Sequence, residues 1–172
     1  TVGRSRYAMA GITSVFEKPV YAPSGIHSSA VVEESAKVAG DVRIGAFSYI
    51  GPDVVIGRGC TNMSHVTIGA GASVGRNVLF HPGVRIGERV TVGDRVIIHA
   101  NASIGADGFS FVTPEPGSVE SAKSKGRIDA TNTEIVRVNS LGAVVLGDDT
   151  EIGACSSIDR GTISSTRIGR GT

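Results

Sequence analysis

The chain has 172 residues, 24 of them glycine and none tryptophan. Its 17 Lys and Arg nearly balance 16 Asp and Glu, so no basic excess is available to hold nucleic acid or an anionic membrane. A 40% hydrophobic content at this low net charge specifies a folded chain, and no apolar run is long enough for a transmembrane helix.

The opening TVGRSRYAMAG lacks the apolar stretch of a signal peptide. It also lacks an initiator Met, which points to natural sequence ahead of Thr1. From Arg4 to Phe16, the residues Ala8, Ile12, Val15 and Phe16 recur at helical spacing and predict a short helix. Glu17-Lys18-Pro19 through Pro23 ends it and leads into the next element. Residues 1–22 are therefore expected to be the tail of an N-terminal domain and its linker, and residues 23–172 a second domain.

That second domain is written in a period of six. Every sixth residue from Ile26 is Ile26, Val32, Val38, Ile44, Ile50, Ile56, Asn62, Ile68, Val74, Phe80, Ile86, Val92, Ile98 and Ile104, and only Asn62 is polar. Four residues after each of the first thirteen comes a small or β-branched residue, from Ala30 and Ala36 to Val96 and Ala102. Gly directly follows the row residue in eight of the fourteen units. At ~100° per residue a helix would scatter this row over three faces. A strand keeps it on one face, because six is even. Gly at a fixed place is expected to supply a bend. The pattern is that of a hexapeptide β-helix, an all-β parallel solenoid. Its narrow interior has little room for aromatics.

Residues Ala106 to about Val138, ADGFSFVTPEPGSVESAKSKGRIDATNTEIVRV, carry no period and read as one long loop excursion. Leu146, Ile152 and Ile158 then resume the row, a whole number of hexads after Ile104. DRGTISSTR shifts the phase, and Ile168-Gly169 restarts it. The sequence stops in mid-hexad at Gly169-Arg170-Gly171-Thr172 with no capping element, so a fragment of a longer protein is expected. Cys60 and Cys155 form neither a disulfide framework nor a CxxC motif, which points to a reducing cytoplasm.

Three segments narrow the family: YAPSGIHSSAVV (Tyr21 to Val32), IGADGFSF (Ile104 to Phe111) and VVLGDDTEIGACSSIDRGT (Val144 to Thr162). In that order they resemble the UDP-3-O-acylglucosamine N-acyltransferases among the hexapeptide-repeat acyltransferases. The resemblance implies a left-handed coil, whereas the general rule for parallel crossovers would give a right-handed one. It implies an enzyme of lipid A biosynthesis in the cytoplasm of a Gram-negative bacterium. A 3-hydroxyacyl chain would pass from acyl carrier protein to the 2-amine of UDP-3-O-acylglucosamine. A His would act as general base, and neither cofactor nor metal would be required. The family's catalytic His stands in an Ala-His-Asn coil that would follow Thr172. No catalytic residue is therefore assigned here, and the chain is expected to be inactive by itself. The excursion is longer than the family's usual loop, and Ser164-Ser165 stands where acidic residues are common, so acyl preference stays open. The alternatives are another hexapeptide acyltransferase (a UDP-N-acetylglucosamine O-acyltransferase or a sugar acetyltransferase) and a zinc hydratase of the carbonic anhydrase type.

Asp107, Gly108 and Phe109 are the candidate substrate or acyl-channel residues, although Asp-Gly is also a turn signal. Asp159-Arg160 reads better as a surface ion pair than as support for a catalytic coil. His27, His81 and His99 share a corner column interrupted by Gly45 and Met63, with His65 off it. Tolerated polar residues at a corner fit this better than a zinc site, which needs three or four converging ligands. By resemblance, the assembly is a homotrimer. The aliphatics Val31, Val55 and Ile97, outside the inward row, are the sequence's own hint of an interface.

Overall fold

A two-residue strand can bury one side chain and expose the other, and stacking such strands at fixed spacing builds a prism. The computed structural model describes residues 3–18, 20–22, 24–128, 132 and 134–172, and it forms such a parallel β-helix. The first face stacks Val31–Val32, Tyr49–Ile50, Thr67–Ile68, Arg85–Ile86, Ser103–Ala106 and Ser157–Asp159. The second stacks Lys37–Val38, Val55–Ile56, Ser73–Val74, Thr91–Val92, Val144–Leu146 and Thr166–Ile168. The third stacks Arg43–Ile44, Thr61–Asn62, Leu79–Phe80, Ile97–Ile98 and Glu151–Ile152.

The row of six is the core. Ile44, Ile50, Ile56, Ile68, Val74, Phe80, Ile86, Val92, Ile98 and Ile104 are buried, as are Leu146 and Ile152 beyond the excursion. The companion row from Val42 to Ala102 is buried beside it, with Thr150 continuing the row on the far side. Each aliphatic so placed contributes about 1.5–3 kcal/mol. Burial fails at the ends: Ile26, expected inward, is 53% exposed, and Val32, Val38, Ile158 and Ile168 are half-buried. These belong to coils with a neighbour on one side only.

The glycines do a different job from the one expected. From Ile44 onward most corners carry a residue with positive φ three places after the inward aliphatic, and it is usually not Gly: Phe47, Asp53, His65, Asn77, Arg89, Arg95, Asn101, Asp149 and Cys155 have φ between 54 and 60°, while after Ile104 the adjacent Gly105 takes that conformation at φ 88°. The Gly next to the aliphatic answers the coil above. A Cβ on Gly75 would lie 2.7 Å from the carbonyl carbon of Gly93, and one on Gly93 would lie 2.7 Å from the backbone N of Asp148. Close stacking of the backbone, not a bend, excludes side chains there.

The excursion preserves the corner assignment. Leu146 registers with Val92 and Ile152 with Ile98, so the coils close over it in phase. It is not structureless, however. Phe111–Val112 pairs antiparallel with Val136–Arg137, and between them lies a helix, Ser118–Lys125. Gly117 N–H donates to Glu120 Oε2 at 2.9 Å at its start, and Gly126 ends it at φ 70°. The N-terminal helix, Ser5–Val15, forms where expected but buries none of its residues. Pro19 and Pro23 lie outside the described residues.

Candidate functional site

The prism is filled by its own side chains, so any ligand must sit on an outer face, at an edge or against the excursion. Asp107 opens the excursion between two guanidinium groups. Arg137 Nη2 stands 3.3 Å from its Oδ2, and Arg160 Nε stands 3.6 Å from its Oδ1. Gly108 N–H donates to Ser140 Oγ at 3.3 Å. Phe109 is 93% exposed, and its ring meets Phe111 edge-on at 5.1 Å. Beside it a cavity of about 440 Å³, lined by Phe111, Val112, Thr113, Gly117, Val119 and Glu120, opens between the antiparallel pair and the helix. Its volume is in the range of small-molecule pockets.

Arg160 does not pair with Asp159 on the surface. Its side chain is 12% exposed, and its Nε donates to the Gly105 carbonyl at 2.9 Å. Asp159 instead accepts a hydrogen bond from Ser157 Oγ at 3.1 Å. The pairing expected from adjacency in sequence fails because Arg160, just past the end of the strand Ser157–Asp159, turns its guanidinium to the Gly105 carbonyl. Arg137, Ser140 and Arg160 were not legible as partners of the Asp-Gly-Phe segment. They lie 30 to 55 residues from it or from Gly105 along the chain, and no local pattern connects them.

The corner column carries a second polar cluster. His81 and His99 stack at 4.8 Å, with planes 16° apart, and His99 Nε2 lies 2.7 Å from Glu151 Oε1. Burial, and then the neighbouring His99, hold His81 below its ordinary value of 6.5, while Glu151 works the other way. His27 pairs instead with Ser29 Oγ through Nδ1 at 2.9 Å. His65, off the column, stacks on Phe47 at 5.2 Å. Among the described residues no three His, Cys, Asp or Glu side chains are placed to hold a metal ion. Among them, too, no helix is long and apolar enough to cross a membrane. Val31, Val55 and Ile97 lie on three different faces, so they do not make one interface patch. Both cysteines are free thiols, Cys60 buried and Cys155 exposed.

Fold and repeat together define the class: a hexapeptide-repeat protein built as a parallel β-helix. Residues 71–106 match the bacterial transferase hexapeptide (six repeats) family. Almost the whole chain is similar to UDP-3-O-acylglucosamine N-acyltransferases. It is 43% identical over 171 residues to that of Ruegeria pomeroyi, covering 98% of this chain and 47% of that protein. It is 36% identical over 154 residues to that of Polynucleobacter asymbioticus, covering 90% of this chain and 39% of that protein. The chain thus spans less than half the length of these relatives. An Arabidopsis UDP-N-acetylglucosamine acyltransferase structure superposes with a TM-score of 0.60 at 19% identity, over 86% of this chain and 47% of that one. That likeness shows a common fold.

Proposed function

We propose that the protein carrying this chain is an N-acyltransferase of lipid A biosynthesis. It moves a 3-hydroxyacyl group from acyl carrier protein to the 2-amine of UDP-3-O-acylglucosamine. The observation that carries this reading is the 43% identity over 98% of the chain to a protein of that name, solenoid and excursion included. In the reaction the amine attacks the thioester carbonyl, a neutral His takes the amine proton, and the C–S bond breaks as that proton passes to the departing carrier thiol. We place that His outside residues 1–172, so this chain supplies scaffold and acyl-facing surface rather than the base. The excursion that opens at Asp107, Gly108 and Phe109 carries that surface, and the exposed Phe109–Phe111 pair suits an apolar chain.

The setting we propose is the cytoplasm of a Gram-negative bacterium, with the subunits joined as a homotrimer through one face of the prism. Val31, Val55 and Ile97 do not identify that face, since each lies on a different one. The test is to incubate the full-length protein with 3-hydroxyacyl-acyl carrier protein and UDP-3-O-acylglucosamine and follow the product by mass spectrometry. Gain of one 3-hydroxyacyl group supports the reading. Turnover with acetyl-coenzyme A and no turnover with the carrier-bound acyl group would favour a sugar acetyltransferase.

A further inference from the structure

We propose that Arg160 is a positioning residue: it clamps the base of the excursion through Asp107, so that Phe109 and Phe111, and not Asp107, face the acyl chain. This rests on the acyl-facing reading of the excursion given above.

A long excursion can be closed at modest entropic cost, but closure alone does not aim it. The ties that aim it converge on Arg160. Its backbone N–H donates to the Ala106 carbonyl at 2.9 Å, and its Nε donates to the Gly105 carbonyl at 2.9 Å. The same Nε faces one oxygen of Asp107, while Arg137 from the returning strand faces the other. Val138 N–H donates to the Ser110 carbonyl at 3.0 Å, and Ser140 receives Gly108 N–H, so both ends of the excursion are laced together. Gly87, two coils below, keeps the space under this stack open: a Cβ there would meet the Gly105 carbonyl oxygen first, at 2.6 Å, and Arg160 Nη2 at 3.2 Å.

Burial decides which arginine matters. The Arg137 side chain is 47% exposed, and an ion pair so open contributes little. Arg160, at 12%, is withdrawn from water and needs its acceptors. Asp107 already faces a guanidinium with each carboxylate oxygen, which leaves it occupied by the clasp. Phe109 has no comparable tie and projects into solvent.

The experiment uses the full-length protein and two readouts. One is hydrogen–deuterium exchange, and the other is the affinity of a fluorescently labelled 3-hydroxyacyl pantetheine. Arg160→Ala is expected to speed exchange in residues 106–112 and 134–141 together and to weaken the probe roughly tenfold, leaving exchange in the solenoid unchanged. Arg160→Lys restores part of both. Phe109→Ala weakens the probe without changing exchange. Asp107→Asn reproduces the Arg160→Ala exchange pattern and reads the clasp from its other side if Arg160→Ala proves unstable. Unchanged exchange at both segments in Arg160→Ala and Asp107→Asn overturns the clasp. So does loss of probe affinity in Asp107→Asn with exchange intact, which would put Asp107 on the ligand. Absence of probe binding to the unaltered chain overturns the acyl-facing reading and the positioning role with it. Exchange still decides whether the clasp exists.

Discussion

Asn62 registers with Phe80 of the next coil, and both side chains are fully buried in the prism. Neither the amide nitrogen nor the amide oxygen of Asn62 has a hydrogen-bond partner. A buried polar group left unpaired costs about 1–3 kcal/mol. Asn62→Val, which restores the apolar row, is therefore expected to raise stability by about 1 kcal/mol. Urea unfolding followed by circular dichroism measures it. A lower midpoint would mean that Asn62 is satisfied in solution.

The stacking role assigned to glycines that directly follow an inward aliphatic separates two substitutions of identical chemistry. Gly75→Ala brings a methyl group against the backbone of Gly93, whereas a methyl group on Gly40 meets nothing within 4 Å. The first is expected to cost about 1–3 kcal/mol and the second to stay within about 0.5 kcal/mol. Equal effects would return the glycines to the role of bends.

Ile50 and Arg43 test the register. Ile50 is fully buried, and Arg43 is exposed on its two-residue strand. Ile50→Asp places a carboxylate where no water reaches, so it either costs several kcal/mol or stays protonated. Arg43→Asp is expected to stay within about 0.5 kcal/mol. Thermal melts of the two variants compare them directly, and comparable damage would reverse inside and outside.

The stacked His81 sets a pH dependence. Because its folded-state pKa lies below the ordinary 6.5, the unfolded chain binds more protons as pH falls through 6.5. Its contribution is thus complete above 6.5 and is lost on acidification, levelling off below the folded value. Urea midpoints at about pH 7.5 and about pH 5 are expected to differ less in His81→Asn than in the parent chain. An equal loss would assign the acid sensitivity to other groups.

How much of this was legible follows from which interactions are local. The inward row from Ile44 to Ile104, the in-phase return at Leu146 and the N-terminal helix all follow from spacing, and spacing is what a sequence displays. The reason for Gly75 and Gly93 was not visible, since the clash that excludes a side chain comes from the next coil. The excursion helix did leave a trace, with Glu120 in its first turn, Lys123 and Lys125 in its last, and Gly126 after it. Ser- and Pro-rich composition around it hid that signal. Arg160 was misread because adjacency to Asp159 suggested a pair, while its actual partners, Gly105 and Asp107, come from the preceding coil and the start of the excursion.

The bond formed by the full-length protein decides the functional reading most directly. A labelled 3-hydroxyacyl group transferred from acyl carrier protein to UDP-3-O-acylglucosamine is expected to remain on the sugar after mild alkaline treatment, because an amide survives conditions that release the ester-linked chain. Release of the label as free 3-hydroxy acid would show transfer to oxygen and contradict N-acylation.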